Sequence, residues 1–320
     1  MAISATGRGT YIGFEAEATY GTAETIDGSS NWRPLVSGSL QTRVQRQAVP
    51  DLYDGGTVSR RKHDVSSESG GALRLVITYD NIGLLLKAAL GSLSDGGGGG
   101  PTYTHDYTLA NALPSLTMEL IRGNSTNSET FEGIQINTAT FGIETGQVMF
   151  LDLDLVAEAS AARGAAGSPA VGATETVVLH SHAGQLSFDG NSYDLISFRV
   201  VLNNNLERRP KLGSLNTQEP NRGGYSTISI EATVEAVSNQ NDTLLAAQLA
   251  GTEGDVAITF TSGTRTMTFT GHNAYLNEAS DPVGGAGIIR QRLRWMCQSD
   301  GTDLGLKIAV VNETSSGTAN

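Results

Sequence analysis

A chain of 320 residues with 39 glycines, 17% charged and only 6% aromatic residues has room for one large domain or two ordinary ones, with few segments of sustained helical period. Its formal net charge of −12 argues against ordinary nucleic-acid binding, which needs lysine and arginine to replace counterions. The single cysteine, Cys297, excludes an internal disulfide framework, and with no signal-like start and no stretch approaching a membrane span, folding in a reducing cytosol without a membrane partner is expected.

Residues 1–34 read as an irregular arm with a short strand near 11–15 and turns at Gly21 and Asp27-Gly28. Residues 35–47, LVSGSLQTRVQRQ, read as a strand running into a basic arm over about 46–68 that lacks hydrophobic period. A loop of that length in a compact domain is usually functional or ordered on binding. Residues 70–91 follow, GGALRLVITYDNIGLLLKAALG. Leu73, Leu75 and Ile77 alternate with Arg74, Val76 and Thr78, the period of a strand with one better-buried face. Asp80 or Asn81 is placed to cap a helix whose face is Ile82, Leu85, Leu86 and Ala89, and Gly91 suits its left-handed end. The run Gly96 to Gly100 predicts a loop tip. Strands are then predicted over 115–122, 131–144 and 147–158, where Leu151, Leu153 and Leu155 alternate with Asp152 and Asp154. The small-residue stretch 159–173 reads as a linker.

Beyond it, QLSFDGNSYDLIS turns at Asp189-Gly190, and residues 195–206, LISFRVVLNNNL, parallel 35–47. A second basic arm, ERRPKLGSLNTQEPNRGG, leads into residues 224–251. There Ile228, Ile230, Ala232 and Val234 share one face, Asp242 is a candidate cap, Leu244, Leu245 and Leu249 form a weaker stripe, and Gly251 ends it. Strands are predicted over 255–261, 264–277, 287–296 and 304–311, with a polar tail after 312. Gly91 and Gly251 lie 160 positions apart, half the chain, which points to a duplicated unit. The expected organisation is a mainly β protein of two tandem sandwich or barrel-like modules, each with one short flanking helix. Residues 1–158 form the first with an N-terminal arm, 159–176 the linker and 177–320 the second with a C-terminal tail. Nine of the 21 basic residues fall in equivalent places before the two strand–helix units: Arg43, Arg46, Arg60, Arg61 and Lys62, then Arg208, Arg209, Lys211 and Arg222. These arms are expected to dock on an acidic neighbour.

The ordered pieces resemble the tail tube proteins of long, non-contractile (siphovirus-type) bacteriophage tails. The carrying residues are Gly13-Phe14-Glu15 with Tyr20-Gly21-Thr22-Ala23, the unit ending Lys87-Ala88-Ala89-Leu90-Gly91, Phe131-Glu132-Gly133-Ile134-Gln135-Ile136-Asn137, and residues 197–206 with Asn203, Asn204 and Asn205. The resemblance covers nearly the whole chain in order and texture, without one diagnostic motif. It implies modules that close into rings around a lumen, arms that reach the adjacent ring, and a stacked tube that conducts DNA during ejection. It also implies a virion tail location after synthesis in the bacterial cytoplasm, with a tape measure protein and a tail terminator as partners. Six modules per ring would make three copies of this chain a pseudo-sixfold ring. On that reading Glu119, Asp152, Asp154, Glu231 and Glu235 are the lumen-lining candidates. DNA would slide past them without specific binding, since only wall charges within a screening length of roughly 8 Å are felt. The nine arm cations would be ring-to-ring contacts.

No catalytic residue, metal or cofactor is expected. There is no nucleophile elbow, phosphate loop or zinc-protease helix. Gly284-Gly285-Ala286-Gly287 reads as a hairpin turn, His180 and His182 on a strand-like face are too few for a metal site, and Asp152-x-Asp154 lacks the loop spacing calcium needs. Asn124-Ser125-Thr126 matches a glycosylation acceptor by chance composition. The rival readings are a secreted or surface β-sandwich carbohydrate-binding module, with Trp32 and Trp295 beginning an aromatic platform, and a β-sandwich hydrolase using Asp152 and Asp154. Two carboxylates on one strand face are too close to serve well as acid and base. A capsid-decorating or tail-terminator role would be separated from a tube by the absence of stacked rings.

Overall fold

The structure is a computed structural model that describes residues 7–26, 31–49, 61–96, 102–123, 127–161, 164–167, 169, 176–236, 238–280, 288–301 and 304–317. In chain order the elements are β1 (Tyr11–Ala16), β2 (Trp32–Pro34), β3 (Ser37–Gly38), β4 (Gln41–Ala48), β5 (Lys62–Val76) and helix α1 (Gly83–Leu90). Then come β6 (Gly91–Gly96), β7 (Tyr103–Leu109), β8 (Leu116–Ile121), β9 (Asn127–Glu144), β10 (Phe150–Ala157), β11 (Ala159–Ser160) and β12 (Gly164–Ala165). A 3-10 turn (His180–His182) precedes β13 (Leu186–Phe188), β14 (Asn191–Tyr193), β15 (Leu195–Asn203), β16 (Leu206–Arg209), β17 (Gln218–Arg222) and β18 (Thr227–Glu235). Helix α2 (Ser238–Ala250), β19 (Glu253–Ser262), β20 (Arg265–Ser280), β21 (Arg290–Cys297) and β22 (Leu306–Asn312) complete the chain.

The protein is mainly β, as its alternating patterns predict, with two short helices among the described residues packed on a large antiparallel sheet. One layer runs β3/β4, β5, β10, β9, then β15, β18, β21, β20. The other layer starts as β2, β1, β8 and the first half of β9, with β11 and β12 on its far side. It starts again as β14, β13, β19 and the first half of β20, with β22, β7 and β6 beyond. Thus β9 and β20 each serve both layers. Each bends at a left-handed residue, Gly133 (φ 63°) or Asn273 (φ 46°), and each shifts register four residues later at Asn137 or Asn277. Such irregularities turn a strand from one sheet into another.

The expected apolar faces are the core. Leu73, Leu75, Leu151, Leu153, Leu155, Ile230 and Val234 are all buried. Phe141 meets Phe269 edge-on with centroids 5.3 Å apart, and Phe269 in turn packs on Phe198 and Phe260. Front and back portions therefore share one core cluster. Strand pairing crosses between them too, at β9 with β15 and at β7 with β22. Residues 159–160 and 164–165, inside the stretch read as a linker, are strands paired to β9.

Several local expectations are corrected. Neither Asp80 nor Asn81 caps α1: Ile82 holds that position with no side-chain bond, while the Asp80 carboxylate accepts from Arg265 Nε at 3.3 Å. Helix α1 is buried on nearly every side, under β6, β7 and β9, so it is not a one-faced helix. Gly91 does end it in a left-handed conformation (φ 102°). Helix α2 begins at Ser238, which places Asp242 inside it, and of the predicted stripe only Leu244 is buried while Leu245 and Leu249 are exposed. The basic segment of 46–68 is not an unstructured loop where it is described: residues 41–48 pair with 62–70 as a two-stranded ribbon. The strands β6 and β7 have no counterpart in the sequence reading. His180 and His182 lie on the 3-10 turn instead of a strand face. Residues 27–28, 60, 97–100, 124–126 and 284–287 fall outside the described residues.

Candidate functional site

The eight-strand layer has one face on the core and one open face. Alternation along each strand decides which residues reach the open side. On β10 they are Asp152 and Asp154, on β18 Glu231 and Glu235, so four of the five carboxylates singled out from the sequence share this face. Glu119 does not. It sits on β8 in the other layer, where its carboxylate accepts from the Gly167 N–H at 2.8 Å.

The same face also holds cations that sequence reasoning missed: Arg74, Arg199, Arg290, Arg292 and Arg294. Cross-strand register sets them against the acids. Arg74 is opposite Asp152, with Nε 3.6 Å from Oδ1. Glu231 lies between Arg199 and Arg294, each 3.7 Å away. Arg294 is also opposite Glu278, and Glu235 is opposite Arg290. Arg74 stacks on Phe150, its guanidinium carbon 4.2 Å from the ring centre. The wall is therefore a ladder of alternating sign, not the uniformly acidic surface that the carboxylates alone suggested. Exposed pairs of this kind contribute about 0–1 kcal/mol each, so their arrangement matters more for surface potential than for stability. A hollow of about 720 Å³ collects on this face, lined by Arg74, Phe150, Asp152, Arg199, Glu231 and Arg294 among others, so the face is concave.

Two ribbons leave the layer. The first is β4 with β5, where Arg43 is opposite Glu68 and Arg46 Nε bonds Asp64 Oδ1 at 2.9 Å. It leaves through Gly70 and Gly71, whose φ values of 150° and 148° suit glycine alone. A Cβ on Gly70 would stand 2.5 Å from the Leu155 carbonyl oxygen. The second ribbon is β16 with β17, and it touches the first through the Ser67 N–H donating to the Leu215 carbonyl at 2.8 Å.

The arm cations divide accordingly. Arg208 is held inside the chain, donating to the Ser69 carbonyl at 2.5 Å and toward the Ala157 carbonyl at 3.4 Å. Arg222 donates to Asn204 Oδ1 at 3.4 Å, and burial pushes its guanidinium below the usual range. Arg43, Arg46, Arg61, Lys62, Arg209 and Lys211 are exposed; Arg60 lies outside the described residues. Leu212 stands fully in solvent at the ribbon's end.

Asn204 fixes the second ribbon's root. It is fully buried, its amide donating to the carbonyls of Ala89 at 2.9 Å and Ile136 at 3.0 Å, while its backbone N–H donates to the Asn137 carbonyl at 2.7 Å. Glu17, Glu132 and Glu158 gather nearby. Glu17 accepts from the N–H groups of Gly21 and Gly133 and from Thr117 Oγ1. Burial, then the charge of Glu17, raises the Glu132 carboxyl; burial, then Glu132 and Glu17, raises Glu158, against the pull of Lys211.

Trp32 and Trp295 are both buried in the core, which removes the aromatic platform a carbohydrate-binding reading required. Among the described residues no group of three or more His, Cys, Asp or Glu side chains is placed to hold a metal ion. Among the described residues no helix is long and apolar enough to cross a membrane. His182 Nδ1 is instead 3.1 Å from the Tyr79 hydroxyl.

A concave charged wall of paired strands, with two projecting ribbons, belongs to the class of β-rich structural subunits that present surfaces to other subunits. Residues 7–297 match the phage tail tube protein family, and the chain belongs to it. It is accordingly a non-enzymatic structural component of the virion tail. No curated protein matches the chain.

Proposed function

We propose that this chain is a tandem tube subunit of a siphovirus-type tail, three copies of which close a pseudo-sixfold ring whose laddered face lines the DNA channel. The observation that carries this reading is the repeated pairing order. The block β4, β5, β10, β9 is followed by β15, β18, β21, β20, and each block has its own second layer and helix. A ring closes by repeating one heterologous contact, and closure removes the sheet edges that otherwise invite aggregation. On this reading the blocks are the modules 1–158 and 177–320, except that β6 and β7 of the first complete the second layer of the back block beside β22, and the intervening residues are partly taken up as strands.

The open face supports an inward orientation because it is concave and the helices and second layer lie behind it. DNA passes a wall on which Arg74, Arg199, Arg290 and Arg294 each have a carboxylate directly across the strand, while Arg292 lies between Thr233 and Ser280, so no long unopposed row of cations holds phosphate and no unbroken acidic row raises a barrier. Asp152, Asp154, Glu231 and Glu235 take that place; Glu119 lies in the outer layer. The exposed arm residues Arg46, Arg61, Lys62, Arg209 and Lys211, with Leu212, reach the adjacent ring, while Arg43 sits at the root of its ribbon beside the inner layer. The tape measure protein, as the tube's filling, and the tail terminator, at its end, are the expected partners.

Electron microscopy of concentrated protein tests the reading. Hollow tubes or stacked rings with threefold symmetry are expected; a chain that stays monomeric at high concentration, and also when offered preformed tail tips, would overturn it.

A further inference from the structure

Inside the chain the two blocks join where β15 pairs with β9: Asn203 opposite Thr138, Val201 opposite Thr140, Arg199 opposite Gly142. The outer edges of the eight-strand layer are β3/β4 at one end and residues 276–280 of β20 at the other. Among the described residues, β4 has β5 as its only ladder partner, and residues 276–280 have only β21.

The repeat says how these edges correspond. Leu35-Val36-Ser37 stands where Leu195-Ile196-Ser197 stands, which equates Gln41 with Val201 and Arg43 with Asn203. Ile136-Asn137-Thr138-Ala139-Thr140 matches Leu276-Asn277-Glu278-Ala279-Ser280, with the register shift at the asparagine in both. Following partners across β5, β10, β18 and β21 gives the same alignment: Asp154 lies between Ala72 and Thr138 as Arg294 lies between Glu231 and Glu278.

We propose, resting on the ring reading, that β4 of one copy adds to residues 276–280 of β20 in the next copy. The register places Gln41 opposite Ser280 and Arg43 opposite Glu278. Charge complementarity supports it. Arg43 and Glu278 are both exposed, and their pairing extends the row Arg199, Glu231, Arg294, Glu278 through Arg43 to Glu68 of the next copy. The sign alternates at every step. The Val44 N–H then donates to the Asn277 carbonyl as Asn204 does to Asn137; in the single chain that carbonyl accepts only a long 3.3 Å bond from Gln248 among the bonds described. Because the Asn204 N–H points at β9, its odd-numbered neighbours sit in non-hydrogen-bonded pairs, where side chains approach most closely.

The test is a disulfide across that pair. A chain carrying Gln41→Cys and Ser280→Cys is expected to give covalent dimers and trimers on a denaturing non-reducing gel after assembly. Either single variant, or Arg43→Cys with Ser280→Cys, stays monomeric on the gel. Cys297 does not interfere, since burial pushes its thiol up to about 12. Arg43→Glu and Glu278→Arg should each lower the yield of assembled material about tenfold, with like charges directly opposite, and the double exchange should restore it. Assembled rings without the Gln41–Ser280 cross-link, or without rescue, would overturn this register while leaving the ring standing. Folded chains with neither rings nor cross-links would overturn both.

Discussion

Replacing Asn204 with alanine is the sharpest test of how the second ribbon is anchored. The side chain is fully buried and its amide serves two carbonyls, Ala89 O at the end of α1 and Ile136 O beside the bend of β9. Truncation strands both acceptors in a site without solvent. A buried group left without its partner costs about 1–3 kcal/mol, so the loss should be about 2–5 kcal/mol. Asn204→Asp keeps the shape but removes both donors. At neutral pH its carboxylate would face two carbonyl oxygens, and the loss should shrink as acid restores one O–H donor. Asn203→Ala is the control: that side chain accepts one exposed bond from the Asn205 N–H, and its loss should stay within about 1 kcal/mol. Urea unfolding of unassembled chains, followed by fluorescence of the buried Trp32 and Trp295, reads these differences as midpoint shifts at constant slope. An Asn204→Ala midpoint equal to that of the unaltered chain would refute the anchoring argument.

Arg208 and Arg209 should separate. Arg208→Ala removes the donor to Ser69 O and should cost about 1–3 kcal/mol in the same assay, whereas Arg209→Glu with Lys211→Glu should leave unfolding within about 0.5 kcal/mol and shorten tubes seen by microscopy. Unchanged tube length would count against a ring-to-ring role. Glu132 and Glu158 have carboxyl pKa values raised in the fold, so the folded state binds protons more tightly and stability should increase as pH falls toward the upper edge of the carboxylate range. Glu158→Gln should raise the melting temperature at pH 7 and flatten that dependence; a steeper one would contradict the cause assigned. Gly70→Val should impair folding or melt several degrees lower, because its Cβ meets Leu155 O at a φ that valine avoids.

Much of the architecture was legible because alternation is a local property. The Leu151, Leu153, Leu155 series placed a core face and, by default, an open face bearing Asp152 and Asp154. The same rule applied to Arg290, Arg292 and Arg294, which alternate with the buried Gln291, Leu293 and Trp295, and it would have exposed the cationic half of the ladder. Partners could not be read in this way. That Arg294 faces both Glu231, far away in sequence, and Glu278, on the neighbouring strand, depends on the register between strands, which side-chain period does not fix. Capping is not legible locally because Asp80 is taken by Arg265, 185 residues away in sequence, and does not serve its own helix. The α2 stripe is not a core face because that helix packs mainly on β20 among the described residues, while α1 is roofed by β6 and β7. The triple asparagine was visible, but not that its members do different work: Asn203 bonds a turn, Asn204 is buried, and Asn205 adopts a left-handed conformation.

The central claim is that the repeated four-strand block builds a closed wall with the laddered face inward. A cryo-EM reconstruction of assembled tubes measures it directly. Three chains per ring, each contributing eight strands to one continuous inner sheet with Glu231, Arg292 and Arg294 on the channel, is the predicted result. Six chains per ring, or those side chains on the outer surface of the tube, would contradict it.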